Sequence, residues 1–194
     1  MELKFKESIS NEELDVLPLL KFEGRIEVVD TYTQAQHACN ALKKYHLLGF
    51  DTETKPTFKK GRLNDVCLIQ ISNQSESYIF RINKIGIPDE LIELFVSMEH
   101  KKIGVAIRDD INQLSKIKKF QPHGFIDLQS IAGQYGIAEK GLKKMAGIVL
   151  GGRISKSQRT SNWESVELTV PQLVYAATDS WACLKIYEQL LRIQ

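Results

Sequence analysis

Residues 46–54 read HLLGFDTET, an apolar run of strand length, His46–Asp51, that closes on a carboxylate with Glu53 two places further on. In an extended chain residues i and i+2 project to the same face, so Asp51 and Glu53 stand together at the end of a buried strand. Two like charges so placed repel unless something positive lies between them, and a divalent metal ion is the simplest such object. An Asp-x-Glu pair alone is also what an ordinary polar strand end looks like.

Upstream, Arg25–Val29 alternates polar and apolar residues and predicts a first strand. Thr33–Tyr45 has helical spacing through Ala35, Ala38, Ala41 and Leu42. Downstream, Val66–Ser72 and Ser77–Ile82 predict two strands joined by the polar turn Asn73–Glu76. Pro88 opens a helix through Leu91, Leu94, Phe95 and Met98, with Asp89 and Glu90 well placed near its N-terminus. Lys102–Ile107 predicts another strand, followed by a helix carrying Ile111, Leu114 and Ile117, and Phe125–Leu128 is short and extended. The rest reads as helix, interrupted by a basic loop around Gly151–Trp163. Residues 1–24 read as a short helical or irregular lead-in and residues 25–194 as one domain. Strands first, then alternating strands and helices, predict an α/β protein whose mixed sheet is flanked by helices.

Two more elements carry acids. Asp110 lies where a strand passes into a helix, a place that suits a carboxylate for helix-dipole reasons alone and that Asp109 would fill as well. Tyr175 and Asp179 are four residues apart in a helix announced by Thr169 with Gln172, a capping-box pair, and by Pro171 in its first turn. That spacing puts phenol and carboxylate on one helical face, and Ala176 and Ala177 keep the helix slim enough to approach a sheet closely. Phosphodiester cleavage by two divalent ions roughly 3.5–4 Å apart needs such a set. Mg²⁺ takes oxygen ligands and keeps several waters, so a few short carboxylates suffice. No convincing Ser-His-Asp arrangement competes with it.

The 194 residues are 43% hydrophobic and 26% charged, the balance of one soluble globular domain. No apolar run approaches the roughly 18–20 residues of a bilayer span. Met1–Ser10 is charged and unlike a signal peptide, so a cytoplasmic protein without membrane contact is expected. Cys39, Cys67 and Cys183 form no CxxC pair and sit among apolar neighbours, while His37, His46, His100 and His123 are scattered. Neither a disulfide framework nor a zinc or histidine metal site follows. The net charge of +2 is too small to argue for nucleic acid. Its distribution says more: no acid occurs between Lys140 and Trp163, where Lys140, Lys143, Lys144, Arg153, Lys156 and Arg159 fall. A second basic run, Lys55, Lys59, Lys60 and Arg62, follows the first acidic pair. Both runs flank acidic motifs, a placement that favours phosphate contact.

At this point the residues resemble a known family. FDTET at Phe50–Thr54, GVAIRDDINQL at Gly104–Leu114 and YAATD at Tyr175–Asp179 are similar to the three exonuclease motifs of the DEDD superfamily. Tyrosine four residues before the last Asp marks the DEDDy branch; the DEDDh branch would carry His at the position of Val174. SNWESVELTVPQLVYAATD, Ser161–Asp179, resembles Werner-type exonuclease domains closely and ribonuclease D less so.

The resemblance covers roughly residues 25–194. It implies a ribonuclease H-like fold and a 3′–5′ exonuclease that releases nucleoside monophosphates with two divalent ions, Mg²⁺ or Mn²⁺. It also implies roles. Asp51 would bridge both ions, Glu53 and Asp179 would bind the ion that activates water, and Asp110 would serve the second ion through water. Tyr175 would orient the attacking water. Asp110 is preferred to Asp109 because the family's Asp stands six residues after the Gly and four before the Leu, here Gly104 and Leu114. Lys55, Lys59, Lys60, Arg62, Lys156 and Arg159, with Asn162 and Trp163 of the Ser-Asn-Trp sequence, are the candidate nucleic-acid contacts. The partner is expected to be a nucleic acid with a free 3′ end, DNA first, RNA as the alternative, and a binding-only module a distant third. Thr54 departs from the aromatic residue common at its position, which changes what stacks on the terminal base. Oligomeric state stays open.

Overall fold

The computed structural model describes residues 5–55 and 65–193. Lys59, Lys60 and Arg62 lie outside the described residues. The central element is β3, Leu47–Thr54, flanked by β4, Val66–Ser72. Every residue of β4 is buried, its apolar residues Val66, Cys67, Leu68, Ile69 and Ile71 carrying the polar Gln70 and Ser72 into the core with them. With β2 (Arg25–Val29), β5 (Glu76–Phe80), β6 (Lys101–Gly104) and β7 (Phe125–Asp127) they form one sheet in the order β2-β5-β4-β3-β6-β7. The β5-β4-β3 neighbours are antiparallel; β2 on β5, β6 on β3 and β7 on β6 are parallel. The expected mixed α/β fold is present.

Some boundaries differ from the expectation for physical reasons. β3 runs three residues past Asp51 because Thr52, Glu53 and Thr54 still pair with Ile69, Leu68 and Val66 of β4, with a register shift after Glu53. The strand at Lys102 stops at Gly104. There the chain turns through Ala106, at φ 59, and its amide and that of Ile107 donate to the Asp127 carboxylate at 3.0 and 3.2 Å. A non-glycine residue in the left-handed region is uncommon, and the two hydrogen bonds hold it there. The helix Arg108–Ile117 follows at once.

The lead-in packs onto the rest. A helix α1, Asn11–Asp15, is closed by a Ser10/Glu13 capping box. Leu14 and Ile9 are buried against Gly147, where an added Cβ would meet Leu14 Cδ1 at 2.6 Å. β1, Leu19–Leu20, pairs in parallel with β8, Arg153–Ile154. Phe22 N donates to Thr178 Oγ1 at 2.9 Å. Among the described residues no helix is long and apolar enough to cross a membrane.

The long C-terminal helix, Val170–Leu191, lies across the sheet, its N-cap closed by Thr169 and Gln172 as expected. Ala176 and Ala177 are fully buried on it. The approach is closest at Gly49, where an added Cβ would stand 1.9 Å from the Ser180 carbonyl oxygen. That contact is helix backbone, so Gly49→Ala must push the helix off β3. Overpacking costs about 1–3 kcal/mol. Because this helix carries Tyr175 and Asp179, activity should fall about 10²-fold as well, the scale of a misplacement of about 1 Å. A thermal melt and a turnover assay check both, and a variant with parent-like turnover would refute the coupling.

Candidate active site

Three carboxylates meet where β3 crosses the C-terminal helix. One oxygen each from Asp51, Glu53 and Asp179 lies within 4.8 Å of the other two. Asp51 and Glu53 are half-buried, Asp179 is buried, and Asp179 Oδ1 has no hydrogen-bond partner. Asp110 comes from the first turn of Arg108–Ile117. β6 last pairs with β3 at Gly49, so beyond that point this edge of β3 is open, and Thr52 Oγ1 donates to Asp110 Oδ1 at 2.6 Å. Asp109 is exposed. Asp110 does not cap the helix, whose N-cap Ile107 makes no side-chain bond. Asp110 is thus held beside β3 by Thr52, while Asp109 lies at the surface.

Tyr175 is buried one helical turn before Asp179, whose ionisation its neighbouring hydroxyl favours. Trp163 stacks at a tilt beneath it, ring centroids 5.9 Å apart. Trp163 is 0% exposed, which corrects its expected place among strand-contacting residues. Its large apolar surface is spent against Tyr175, Leu68, Ile79 and Ala176 in a small core cluster. Asn162 is exposed, but its Oδ1 accepts from Glu164 N at 3.2 Å and its carbonyl from Gln172 Nε2 at 3.2 Å, so it shapes the loop into the helix. Buried Arg81 fixes the same loop by donating to the carbonyls of Ser165 and Val166.

The charges strain one another. Burial pushes Glu53 up to about 10, with Asp51, Asp179 and Asp110 adding repulsion. Asp51 is held well above the usual carboxylate range by burial, then by Asp179 and Asp110. Burial lifts Asp179 to about 7 against the opposing pull of the Tyr175 hydroxyl and Lys143. Burial also raises Asp110, resisted by the Thr52 hydrogen bond. Tyr175 is raised by burial and by the neighbouring acids, so its hydroxyl keeps its proton.

An all-oxygen cluster of mutually repelling carboxylates, one with an orphaned buried oxygen, fits a hard divalent cation. The metal-free protein should therefore lose stability as pH rises. In the unfolded chain these acids ionise near pH 4; folded, Asp179 and Glu53 hold protons to about 7 and about 10. The folded state binds more protons across that interval, so stability is greatest below it and declines through it. Melting in EDTA between pH 5 and 9 should show the decline, shallower in Glu53→Gln. Equal slopes in parent and variant would refute the assignment.

Of the basic candidates, Lys55, Lys156 and Arg159 fall among the described residues. Lys55 follows β3 directly and pairs with Glu164 in the loop after Trp163. Lys156 and Arg159 are exposed in the turn after β8, the Arg159 amide donating to the Lys156 carbonyl at 3.2 Å. Lys143 was part of the basic run but not among the expected contacts. It donates to the Ile154 carbonyl at 3.1 Å, and its ammonium is pushed down to about 8 by burial and by Lys156, with Asp179 pulling the other way. A groove of about 180 Å³, bounded by Leu20, Ile154, Ser157, Val174 and Tyr175, runs from this loop to the phenol. Thr52, inside the FDTET stretch but not one of its acids, and Asp127 and Arg81, which lie outside the motifs, hold the site's surroundings in place. Their roles come from contacts between residues 21 to 85 positions apart.

Residues 26–193, almost the whole chain, match the 3′–5′ exonuclease family. The chain belongs to that family. As expected of a family exonuclease domain, it is 33% identical over 186 residues to the bifunctional 3′-5′ exonuclease/ATP-dependent helicase WRN of Mus musculus, an alignment of 91% of this chain and 13% of that protein. It is 32% identical to exonuclease 3′-5′ domain-containing protein 2 of Drosophila melanogaster, over 88% of this chain and 30% of that protein. The exonuclease domain thus spans a minor part of those relatives. Among solved structures, the Nibbler EXO domain of Aedes aegypti superposes with TM-score 0.77 at 25% identity, covering 89% of this chain and 91% of that one. Escherichia coli RNase D gives 0.76 at 23% identity, covering 87% and 44%, a likeness of fold. The ribonuclease H-like architecture and the family expectation agree with these matches.

Proposed function

We propose that this site removes nucleotides one at a time from the 3′ end of a nucleic-acid strand, DNA in preference to RNA, with two divalent ions, Mg²⁺ or Mn²⁺. The observation that carries the reading is the convergence of Asp51, Glu53 and Asp179 within 4.8 Å, with buried Tyr175 one helical turn from the last of them. Asp51, Glu53 and Asp179 would hold the ions, with Asp110 reaching the second through water. When bound, such ions supply a water nucleophile at neutral pH and stabilise the leaving oxygen. The chain's own groups do the rest. Tyr175 donates its proton to Asp179, which leaves the phenol oxygen as an acceptor that turns an attacking water's lone pair toward the phosphorus. Lys156 and Arg159 meet backbone phosphates, which fix the strand's path without reading its sequence.

The preference for DNA rests on the Werner-like segment Ser161–Asp179. Trimming of RNA 3′ ends is the second reading, favoured by the fold shared with E. coli RNase D, described as an exoribonuclease. Labelled single-stranded DNA, recessed-end duplex DNA and RNA, each followed over time with Mg²⁺ or Mn²⁺, decide it. A ladder descending one nucleotide at a time on DNA is expected; faster shortening of RNA would transfer the reading to RNA, and no ladder on any substrate would end it.

Charge reversal tests the strand path separately. Lys156→Glu with Arg159→Glu in an inactive Asp51→Ala background should weaken strand binding equally for all sequences. The slope of log K against log salt should flatten by roughly 1.4, two contacts at about 0.7 each for a single strand. Unchanged slope would place both on an idle solvated face.

A further inference from the structure

Gln70 sits in the middle of β4, fully buried, and neither Nε2 nor Oε1 of its amide has a hydrogen-bond partner. Leaving a buried polar group unpaired costs about 1–3 kcal/mol, and folded proteins keep few such groups. The other polar side chain on this face of β4 is satisfied. Ser72 Oγ donates to Ser77 Oγ at 2.8 Å and lies 2.6 Å from Ser180 Oγ, which also reaches the carbonyls of Ala176 and Ala177.

The sheet register says what the amide faces. Gln70 stands opposite Asp51 on β3 and opposite Ile79 on β5. Side chains directly opposite on an antiparallel pair share a face, with Cβ atoms about 4.5–5.5 Å apart. Two residues along the same face, Leu68 packs with Ile79, Tyr175 and Ala176 in an apolar cluster. Ile79 and Leu68 offer no polar side-chain atom, and the serine hydroxyls are committed. Directly across the strand pair from the amide stands the Asp51 carboxylate, one of a cluster with Asp179, whose Oδ1 is likewise without a partner.

We propose that Gln70 is a positioning residue for the metal-binding carboxylates, its amide N–H donating to Asp51 and so fixing which carboxylate lone pairs face the ions. The inference rests on the two-ion reading above. An amide is suited to this task because it is a neutral donor. A lysine or arginine at the same place would neutralise Asp51 and compete with the cation, whereas the amide orients the carboxylate and leaves its charge for the metal. The unpaired amide in the metal-free arrangement is the cost of holding a donor ready beside Asp51.

The experiment compares the full-length parent with Gln70→Leu and Gln70→Met, which keep the volume and remove the amide, by Mn²⁺ titration, by melting in EDTA and by turnover. Both variants should melt in EDTA at or above the parent temperature, because an unsatisfied buried group has gone. Both should bind Mn²⁺ about 10–100-fold more weakly, the usual consequence of losing a group that supports a metal ligand, and kcat should fall while KM for the strand stays close to the parent. A purely structural role would move the melting temperature and leave Mn²⁺ affinity within twofold, which would overturn the assignment. Gln70→Met covers the case in which the branched leucine does not fit. If the parent itself bound no Mn²⁺, the two-ion reading would fail and this inference with it; parent-like binding by the variants would remove the role of Gln70 alone.

Discussion

Asp51→Ala should reduce cleavage to background and leave the fold intact. Asp51 is the acid that both proposed ions share, and each ion is worth several kcal/mol of charge stabilisation in the transition state. Losing about 5.4 kcal/mol or more is a loss of about 10⁴-fold or more. The same change should not destabilise the metal-free protein. Asp51 is a half-buried carboxylate held well above its ordinary range by desolvation and by Asp179 and Asp110, so its removal relieves both the desolvation and the repulsion. Melting in EDTA should be unchanged or higher, and the stabilisation by Mn²⁺ expected of the parent should be lost. Appreciable residual activity in a clean preparation would sink the shared-ligand assignment. A collapse in EDTA would show that Asp51 supports the fold.

Tyr175→Phe should lower kcat far more than it changes strand affinity. Tyr175 is buried, and its phenol is pushed away from ionisation by burial and by the surrounding acids, so it acts as a neutral hydroxyl and not as a phenolate base. Its proposed contact is with the attacking water in the transition state, which places its loss in the chemical step. Water orientation or proton handling of this kind contributes about 10²–10⁴-fold. The ring itself packs on Trp163, and phenylalanine preserves that packing, so the variant should fold as the parent does. Single-turnover rates within a factor of two of the parent would remove Tyr175 from the reaction.

The sequence by itself determined the acids and much of the element order, because both are written in short-range pattern. Asp51 with Glu53 is a strand period; Tyr175 with Asp179 is a helical turn. Strands at Arg25–Val29 and Val66–Ser72 coincide with their alternating or continuous apolar runs. Only the tertiary structure decided what lies beside what. β2 leaves its sequence neighbour β3 and pairs with β5, a choice made by crossover connections and invisible to local periodicity. Trp163 reads as a candidate nucleic-acid contact, yet the sheet and helix bury it because a large apolar surface gains most from leaving water. Lys102 in β6 is fully buried, its ammonium donating to the carbonyls of Leu94, Ser97, His100 and His123 at 2.7–2.9 Å; no residue type at a single position announces a cage drawn from segments up to 21 residues away. Thr52 meets Asp110 across 58 positions and Gln70 meets Asp51 through strand register. Hydrogen bonds and burial are properties of pairs brought together by the fold, so the supporting groups of the site became visible only with the chain closed around it.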